Sequence, residues 1–578
     1  MAVGISGIGI VCAIGNDAAS VLGSLRRKES GVAAMRYLPS IHKELPVGEV
    51  KLSSQEMKRR LGLPADRPVS RTTLMGAIAI REALSQAGLA DLSARRVALI
   101  SGTTVGVMDI TETYYERMKT DPSLELFPHS NECGRSTVEM ARLCGLDTAE
   151  CCTVSTACSS SLNAIILGAE MLRRDEVDVV IAGGSEALSK LHLNGFNSLM
   201  ILDRQRCRPF DADRAGLNLG EGAAYVVLQN DVRQPLALVS GYANRCDAFH
   251  QTASSENGEG AFLAMAGALE MAGLRPQDIR YVNAHGTGTP NNDASESCAL
   301  RRIFGSEMPE VSSTKAYTGH ATSASGSIET VICILAMQHG FTPASLGWET
   351  PFEGGVIPTP GHDGVRLDHV LCNAFGFGGN DSALILSRPD ASAPQASPSA
   401  ARACAPDFSC REAARVRVDS DGQLSALRDY LSPMESRRMG KLLKAGHLSA
   451  LQALQAAGIS RPDAIISATS RGMLENSTLF LEELIANAET LLKPTLFMQS
   501  THNTLASALA IRTGCHGYNV TYSSGDESAA WALRDARRLI ATGQAASVLV
   551  VSFDETLDGG RTGDYFAESF VLIRDRDE

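Results

Sequence analysis

The sequence predicts a layered α/β protein made of two units, the second a partial copy of the first. Three observations carry this. Short apolar runs such as RVALISG (96–102), VDVVIAGG (177–184), AAYVVLQ (223–229) and SALILSR (382–388) alternate with helical stretches such as LMGAIAIREALSQAG (74–88). Four blocks recur in the same order at nearly one spacing: Gly102 falls on Ala468 and Ser161 on Ser528, offsets of 366 and 367 residues. With 44% hydrophobic residues, 5% aromatics and 52 glycines, a chain of 578 residues suits several close-packed, glycine-rich cores.

Taken in order, MAVGISGIGIVCAIG opens the chain as a buried strand, since its first basic residue is Arg26 and the charged leader of a signal peptide is missing. The first unit divides at residues 1–240 and 241–387. RPDASAPQASPSAARACAPD (388–407) is rich in Pro, Ala and Ser without periodicity and reads as a linker, with a reach of roughly 25 Å as a coil. The second unit covers 408–578. In it SRRMGKLLKAGHLSALQALQAAGI answers SRTTLMGAIAIREALSQAGL, and NVTYSSGDES (519–528) answers TVSTACSSSL (153–162), with Gly525 set in the place of Cys158.

Composition excludes several functions. A net charge of -12 argues against nucleic-acid binding, and no apolar run is long enough for a membrane span. The 14 cysteines are scattered, which fits a reducing cytoplasm, and no ligand cluster suggests a metal. The amino-terminal glycines do not form a dinucleotide fingerprint. Cys151 and Cys152 read as core packing.

The chemistry sits in three small-residue turns. Cys158 follows a strand-like run and precedes a helical face of Leu162, Ile165, Ile166 and Ala169, so it lies at a helix N-terminus that favours a thiolate. His285 follows a second strand-like run in YVNAHGTGTPNND. His320 lies in SSTKAYTGHATSASGSIE, between Lys315 and Glu329. One cysteine and two histidines so placed are the ingredients of acyl transfer.

These residues, with RPFDADRAGLNLGEGAA and NAFGFGGND, resemble the β-ketoacyl-[acyl carrier protein] synthases of the thiolase-like superfamily across residues 1 to about 387. The resemblance implies a five-layered αβαβα fold, a tunnel to the active site and a dimer. It makes Cys158 the nucleophile of a decarboxylative condensation with a malonyl extender, assigns His285 and His320 to decarboxylation, and gives Lys315 and Glu329 the task of orienting them. Backbone N–H groups of Cys158 and Phe377 would form the oxyanion hole. Thr287 and Thr289 would hold the phosphopantetheine arm, while Phe375 and Phe377 border the substrate and Phe377 gates it. No cofactor is expected beyond the phosphopantetheine of the acyl carrier protein partner. Lys58, Arg59 and Arg60, with Arg204, Arg206 and Arg208, are the candidate docking clusters for that acidic partner. GGND departs from the commoner GGTN. The second unit resembles the N-terminal half of a synthase, or a chain-length factor of aryl polyene and type II polyketide systems, and is expected to pack on a synthase domain of its own chain or of a dimer mate. A non-elongating acyltransferase and a chain-length-factor-like scaffold are the alternative functions.

Overall fold

A computed structural model describes residues 3–118, 121, 131–391, 408–558 and 560–575. Most of the linker, 392–407, lies outside the described residues.

Among the described residues fifteen strands form one continuous sheet, and they fall into three sets of five. The first set is β1 (Val3–Cys12), β2 (Val97–Gly102), β3 (Glu150–Val154), β4 (Val179–Glu186) and β5 (Gly222–Gln229). The second is β6 (Ala237–Cys246), β7 (Tyr281–Asn283), β8 (Glu310–Ser312), β9 (His369–Gly376) and β10 (Asn380–Ser387). The third, from the second unit, is β11 (Cys410–Val418), β12 (Ala464–Ala468), β13 (Tyr518–Tyr522), β14 (Ser547–Asp558) and β15 (Arg561–Arg574). Their order is β11-β15-β14-β12-β13-β3-β2-β4-β5-β1-β6-β10-β9-β7-β8. Each set therefore repeats one topology, in which its first strand leads to the last, fourth, second and third. The anticipated break at 240/241 falls inside β6, so the natural division of the first unit precedes Ala237.

Layers follow from which helix faces are apolar. The helix Arg71–Gln86 packs outside β1 and β5, and Glu259–Ala272 packs outside β6 and β10. Between them the helices Ser160–Arg173 and Ser325–His339 touch each other and both sheet halves, and both are buried along nearly their whole length. This is the expected five-layered arrangement.

The second unit joins at the edge of β3. β13 pairs with it antiparallel, Tyr522 opposite Val154. Ser155 N donates to Thr521 O at 2.9 Å, and Ser523 N donates to Thr153 O at 2.9 Å. Because β13 is the counterpart of β3, these bonds join equivalent residues reciprocally, the signature of an isologous, two-fold contact. The second unit thus packs against the β3 edge of its own chain through a pseudo-two-fold contact, as in a pseudo-heterodimer.

A half-copy without its second half has to change the surfaces that half would cover. The helix Ser528–Ala541, counterpart of the buried Ser160–Arg173, is amphipathic, exposing Ala530 and Arg537 while burying Trp531, Ala532, Ala536 and Leu539. On the free edge strand β11, Arg411, Glu412, Arg415 and Arg417 are exposed, charges that discourage further strand pairing.

Removing the second unit uncovers the self-complementary edge of β3. A chain ending at residue 390 should therefore dimerise or aggregate in sedimentation velocity experiments at concentrations where the full chain does not. An unchanged sedimentation coefficient per unit mass and unchanged solubility would contradict this placement.

Candidate active site

Cys158 lies in the 3-10 turn Ala157–Ser159, between β3 and the helix Ser160–Arg173. The turn is tight: Ala157 adopts φ 51°, and Ser160 Oγ donates to Ala157 O at 2.6 Å while accepting from Thr156 N at 2.8 Å. A side chain on Gly102 would strike Ser161 N at 2.4 Å, so glycine in β2 is what lets the helix start this close to the sheet. Cys158 is 5% exposed. Burial pushes its thiol up to about 12, outweighing Lys315 and the Phe377 backbone N–H, which both favour the thiolate. Burial thus opposes the thiolate that the helix end favours, and a base in contact with the sulfur would offset that cost.

A histidine is in contact with the sulfur. His320 Nε2 lies 3.2 Å from Cys158 Sγ, and His320 Nδ1 lies 3.0 Å from Ser325 Oγ. A hydroxyl can donate or accept, so Ser325 accommodates either tautomer of the ring. The His285 ring stands edge-on to His320 at a centroid distance of 5.3 Å. Lys315 Nζ lies 3.4 Å from His285 Nδ1 and donates to Glu329 Oε1 at 2.6 Å. An ammonium facing Nδ1 fixes the His285 proton on Nε2. Burial and the Lys315 charge hold both histidines well below their ordinary pKa, hence neutral. Burial raises Glu329 to about 7 against the pull of Lys315.

The surrounding groups hold this set in place. Glu296 accepts from the backbone N–H of His285 at 2.9 Å and of Gly286 at 2.8 Å, bracing the histidine turn. Sequence reading missed Glu296, one of two acidic residues in PNNDASESC with no local pattern to single it out. Phe375 is buried with its ring 5.5 Å from that of His285. Phe377 stacks on Phe196 at 5.4 Å. Beyond Phe196 comes Phe497 of the second unit, 5.5 Å away, whose ring presses so closely on Gly195 that a Cβ there would sit 2.2 Å from it. Thr287 and Thr289 share a 2.9 Å hydrogen bond, Thr287 buried and Thr289 half-buried.

The two basic clusters fare differently. Gly288 lies against Cys207 and the backbone of Arg208, so the segment Arg204–Arg208 borders the threonine loop, with Arg204 and Arg206 exposed. Arg208 is half-buried and donates to Asp213 O at 2.6 Å. Lys58, expected in the first cluster, is instead buried and donates to Ala65 O at 2.9 Å, which leaves Arg59 and Arg60 as the exposed cations of the helix Ser54–Leu61.

The counterpart of the nucleophile also moves. In the second unit Gly525 has φ 60°, and Ser528 Oγ donates to Gly525 O at 2.6 Å while accepting from Ser524 N at 2.8 Å. These bonds match those of Ala157 and Ser160 one for one, so Gly525 corresponds to Ala157 and the place of Cys158 is taken by Asp526. Asp526 is exposed and carries no nucleophile.

Three family models match the chain: β-ketoacyl synthase N-terminal domain over 1–233, β-ketoacyl synthase C-terminal domain over 236–349, and a second β-ketoacyl synthase N-terminal domain over 412–560. The 3-oxoacyl-[acyl-carrier-protein] synthase 2 of Coxiella burnetii is 30% identical over 411 residues, covering 66% of this chain and 98% of that protein. The solved ketosynthase ApeO, in complex with its chain length factor ApeC, from Xenorhabdus doucetiae is 29% identical with a TM-score of 0.60, covering 67% of this chain and 98% of that one. The PfaC keto synthase-chain length factor covers 99% of this chain and 78% of its own at a TM-score of 0.79 and 16% identity, a likeness of fold.

Incubation with an acyl thioester should add one acyl group to the wild-type chain and none to Cys158→Ala, read by intact-protein mass. Asp526→Cys in the Cys158→Ala background should stay unmodified, because no histidine attends that turn. A stoichiometric adduct on either variant would refute the assignment of the nucleophile.

Proposed function

The chain belongs to the β-ketoacyl synthase family, and we propose that it catalyses decarboxylative condensation of an acyl group on Cys158 with a malonyl thioester. The observation that carries this is the buried Cys158–His320 contact beside a His285 whose tautomer Lys315 fixes.

In the first half-reaction His320 Nε2 takes the Cys158 proton as sulfur attacks the acyl thioester. The new thioester forms, and the departing carrier thiolate takes the proton back. In the second, the malonyl thioester carbonyl accepts hydrogen bonds from Nε2–H of His285 and, with Ser325 now donating to Nδ1, from Nε2–H of His320. The bond to the carboxylate breaks, carbon dioxide leaves, and the electron pair enters an enolate held by these two donors. The enolate carbon attacks the Cys158 thioester. N–H groups of Cys158 and Phe377 hold the resulting oxyanion, which collapses to expel the Cys158 thiolate and release a β-ketoacyl product; one proton from solvent, passed through His320, restores the thiol. Neutral histidines suit this role, because each keeps one N–H to donate while avoiding a buried cation beside Lys315.

The substrates come on the phosphopantetheine of an acyl carrier protein, with Thr287 and Thr289 along the arm and Arg204 and Arg206 facing the acidic carrier. Thirteen free cysteines among the described residues suit a cytoplasmic location. Polyketide, polyene or specialised fatty-acid synthesis is the setting that a fused half-copy favours. Simple acyl transfer would need Cys158 and a base but would leave His285, Lys315 and Glu329 without a task. The half-copy closes the acyl pocket beyond Phe377 and Phe196 with Phe497.

His320→Ala should still accept an acyl group on Cys158, more slowly, but release no carbon dioxide from malonyl carrier protein. Carbon–carbon bond formation at the wild-type rate would reject the decarboxylation role. Phe497→Ala opens space at the end of the pocket and should shift products toward longer chains by mass spectrometry, at a stability cost of about 3–5 kcal/mol. A product profile identical to the wild type would remove the second unit from chain-length control.

A further inference from the structure

The turn Phe377–Gly378 closes the site beside Cys158, and its outer side is held by the second unit. Asn503, 1% exposed, precedes the helix Thr504–Thr513. Its Nδ2 donates to Phe377 O at 2.9 Å and to Asn380 Oδ1 at 2.8 Å. Asn380 in turn donates to Asn519 O at 3.2 Å, so both residues flanking the double glycine are bonded across the seam. Gly378, at φ 88°, lies so close to the same helix that a Cβ would meet Ser507 Oγ at 2.0 Å and Asn503 Nδ2 at 3.1 Å.

The orientation of the Asn503 amide is determined by its surroundings. Both close neighbours of Nδ2 are acceptors, and a flip would turn an oxygen onto two oxygens. The donor arrangement also accounts for GGND: Asn380 offers Asn503 an amide oxygen and Asn519 an amide N–H, which a threonine in that place could not reproduce with the same reach. On the inner side of the same turn the backbone lies against the nucleophile turn, a Cβ on Gly376 meeting Cys158 N at 3.1 Å, and the neighbouring Phe377 N–H favours the Cys158 thiolate. Holding the Phe377 carbonyl from outside therefore sets where its N–H points inside, because the two groups belong to one residue with only two soft dihedrals between them.

We propose that Asn503 is a positioning residue for the synthase reaction, through which the half-copy, without chemistry of its own, holds the Phe377 N–H aligned for the oxyanion formed at Cys158. The inference rests on Cys158 being the acylated nucleophile. It makes the second unit necessary for the rate of acyl transfer as well as for closing the pocket.

The test compares two reactions of Cys158 in the full-length chain. Acyl transfer passes through an oxyanion; alkylation by iodoacetamide does not. Asn503→Asp keeps the shape but loses the donor and sets a carboxylate against the Phe377 carbonyl, while Asn503→Ala removes both. Each variant should slow acylation of Cys158 by an acyl thioester by at least ~10-fold, a fraction of the 10²–10³ lost when an oxyanion donor is removed outright. Iodoacetamide alkylation of Cys158, which feels the Phe377 N–H only through the thiolate, should slow several-fold less than acylation, which separates misaligned N–H from a distorted or unfolded site. If alkylation and acylation fall together in both variants, Asn503 is only structural and the proposal is overturned; the same holds if neither rate changes. Failure of the underlying reading would show differently, as an acyl adduct persisting in Cys158→Ala.

Discussion

The antiparallel contact between β3 and β13 is the constraint on which the rest depends. Two reciprocal backbone bonds, Ser155 N to Thr521 O and Ser523 N to Thr153 O, fix the half-copy in register against the strand that leads directly into the Cys158 turn. A shift of one residue would reverse every side chain of β13 and carry Tyr522 out of the core. The seam therefore does more than attach a domain: it determines which residues of the second unit stand behind Phe377 and Phe196, next to the Cys158 turn.

Side chains reinforce that register with groups that tolerate little displacement. Arg538, buried in the second unit, pairs with Asp535 at 2.7 Å and with Glu170 on the nucleophile's own helix at 3.1 Å, and Tyr242 completes the coordination of Glu170 at 2.8 Å. Losing one partner of such a buried set strands the others and costs about 3–5 kcal/mol. Glu489, 6% exposed, receives Asn194 Nδ2 at 3.0 Å and Lys190 Nζ at 3.1 Å from the helix that carries Phe196. A further chain of amides runs from Asn519 through Asn244 to Asn163 and so to Thr156, two residues before Cys158. Specific polar bonds of this kind make the second unit a fitted part of the synthase.

Cys158, His285 and His320 were legible as one cluster because each sits in a turn whose small residues are dictated by close packing, and such turns leave a local signature. Lys315 and Glu329 were legible through the same segment, and the repeat disclosed the half-copy. What failed was information held elsewhere in the chain. The register of the second turn was misjudged by one residue, because serine runs align equally well either way and only the positive φ shared by Ala157 and Gly525 decides it. Lys58 looked like a free cation because its carbonyl partner lies seven residues away at a bend. Asn503, Glu489 and Arg538 carry no local pattern at all, since their partners are in the other unit. GGND, a departure without a reason in the sequence, acquires one in the bonds from Asn380 to the second unit.

The central claim is that one half-copy completes the synthase of its own chain. The most direct measurement co-expresses two differently tagged full-length chains, one Cys158→Ala and one Phe497→Ala, and reads the product profile of the doubly purified mixture and of each chain alone. If the half-copy serves its own chain, only the Phe497→Ala chain is active and the mixture gives its altered profile. Recovery of wild-type product lengths in the mixture would mean that an intact half-copy reaches a neighbour's pocket, and would contradict the account.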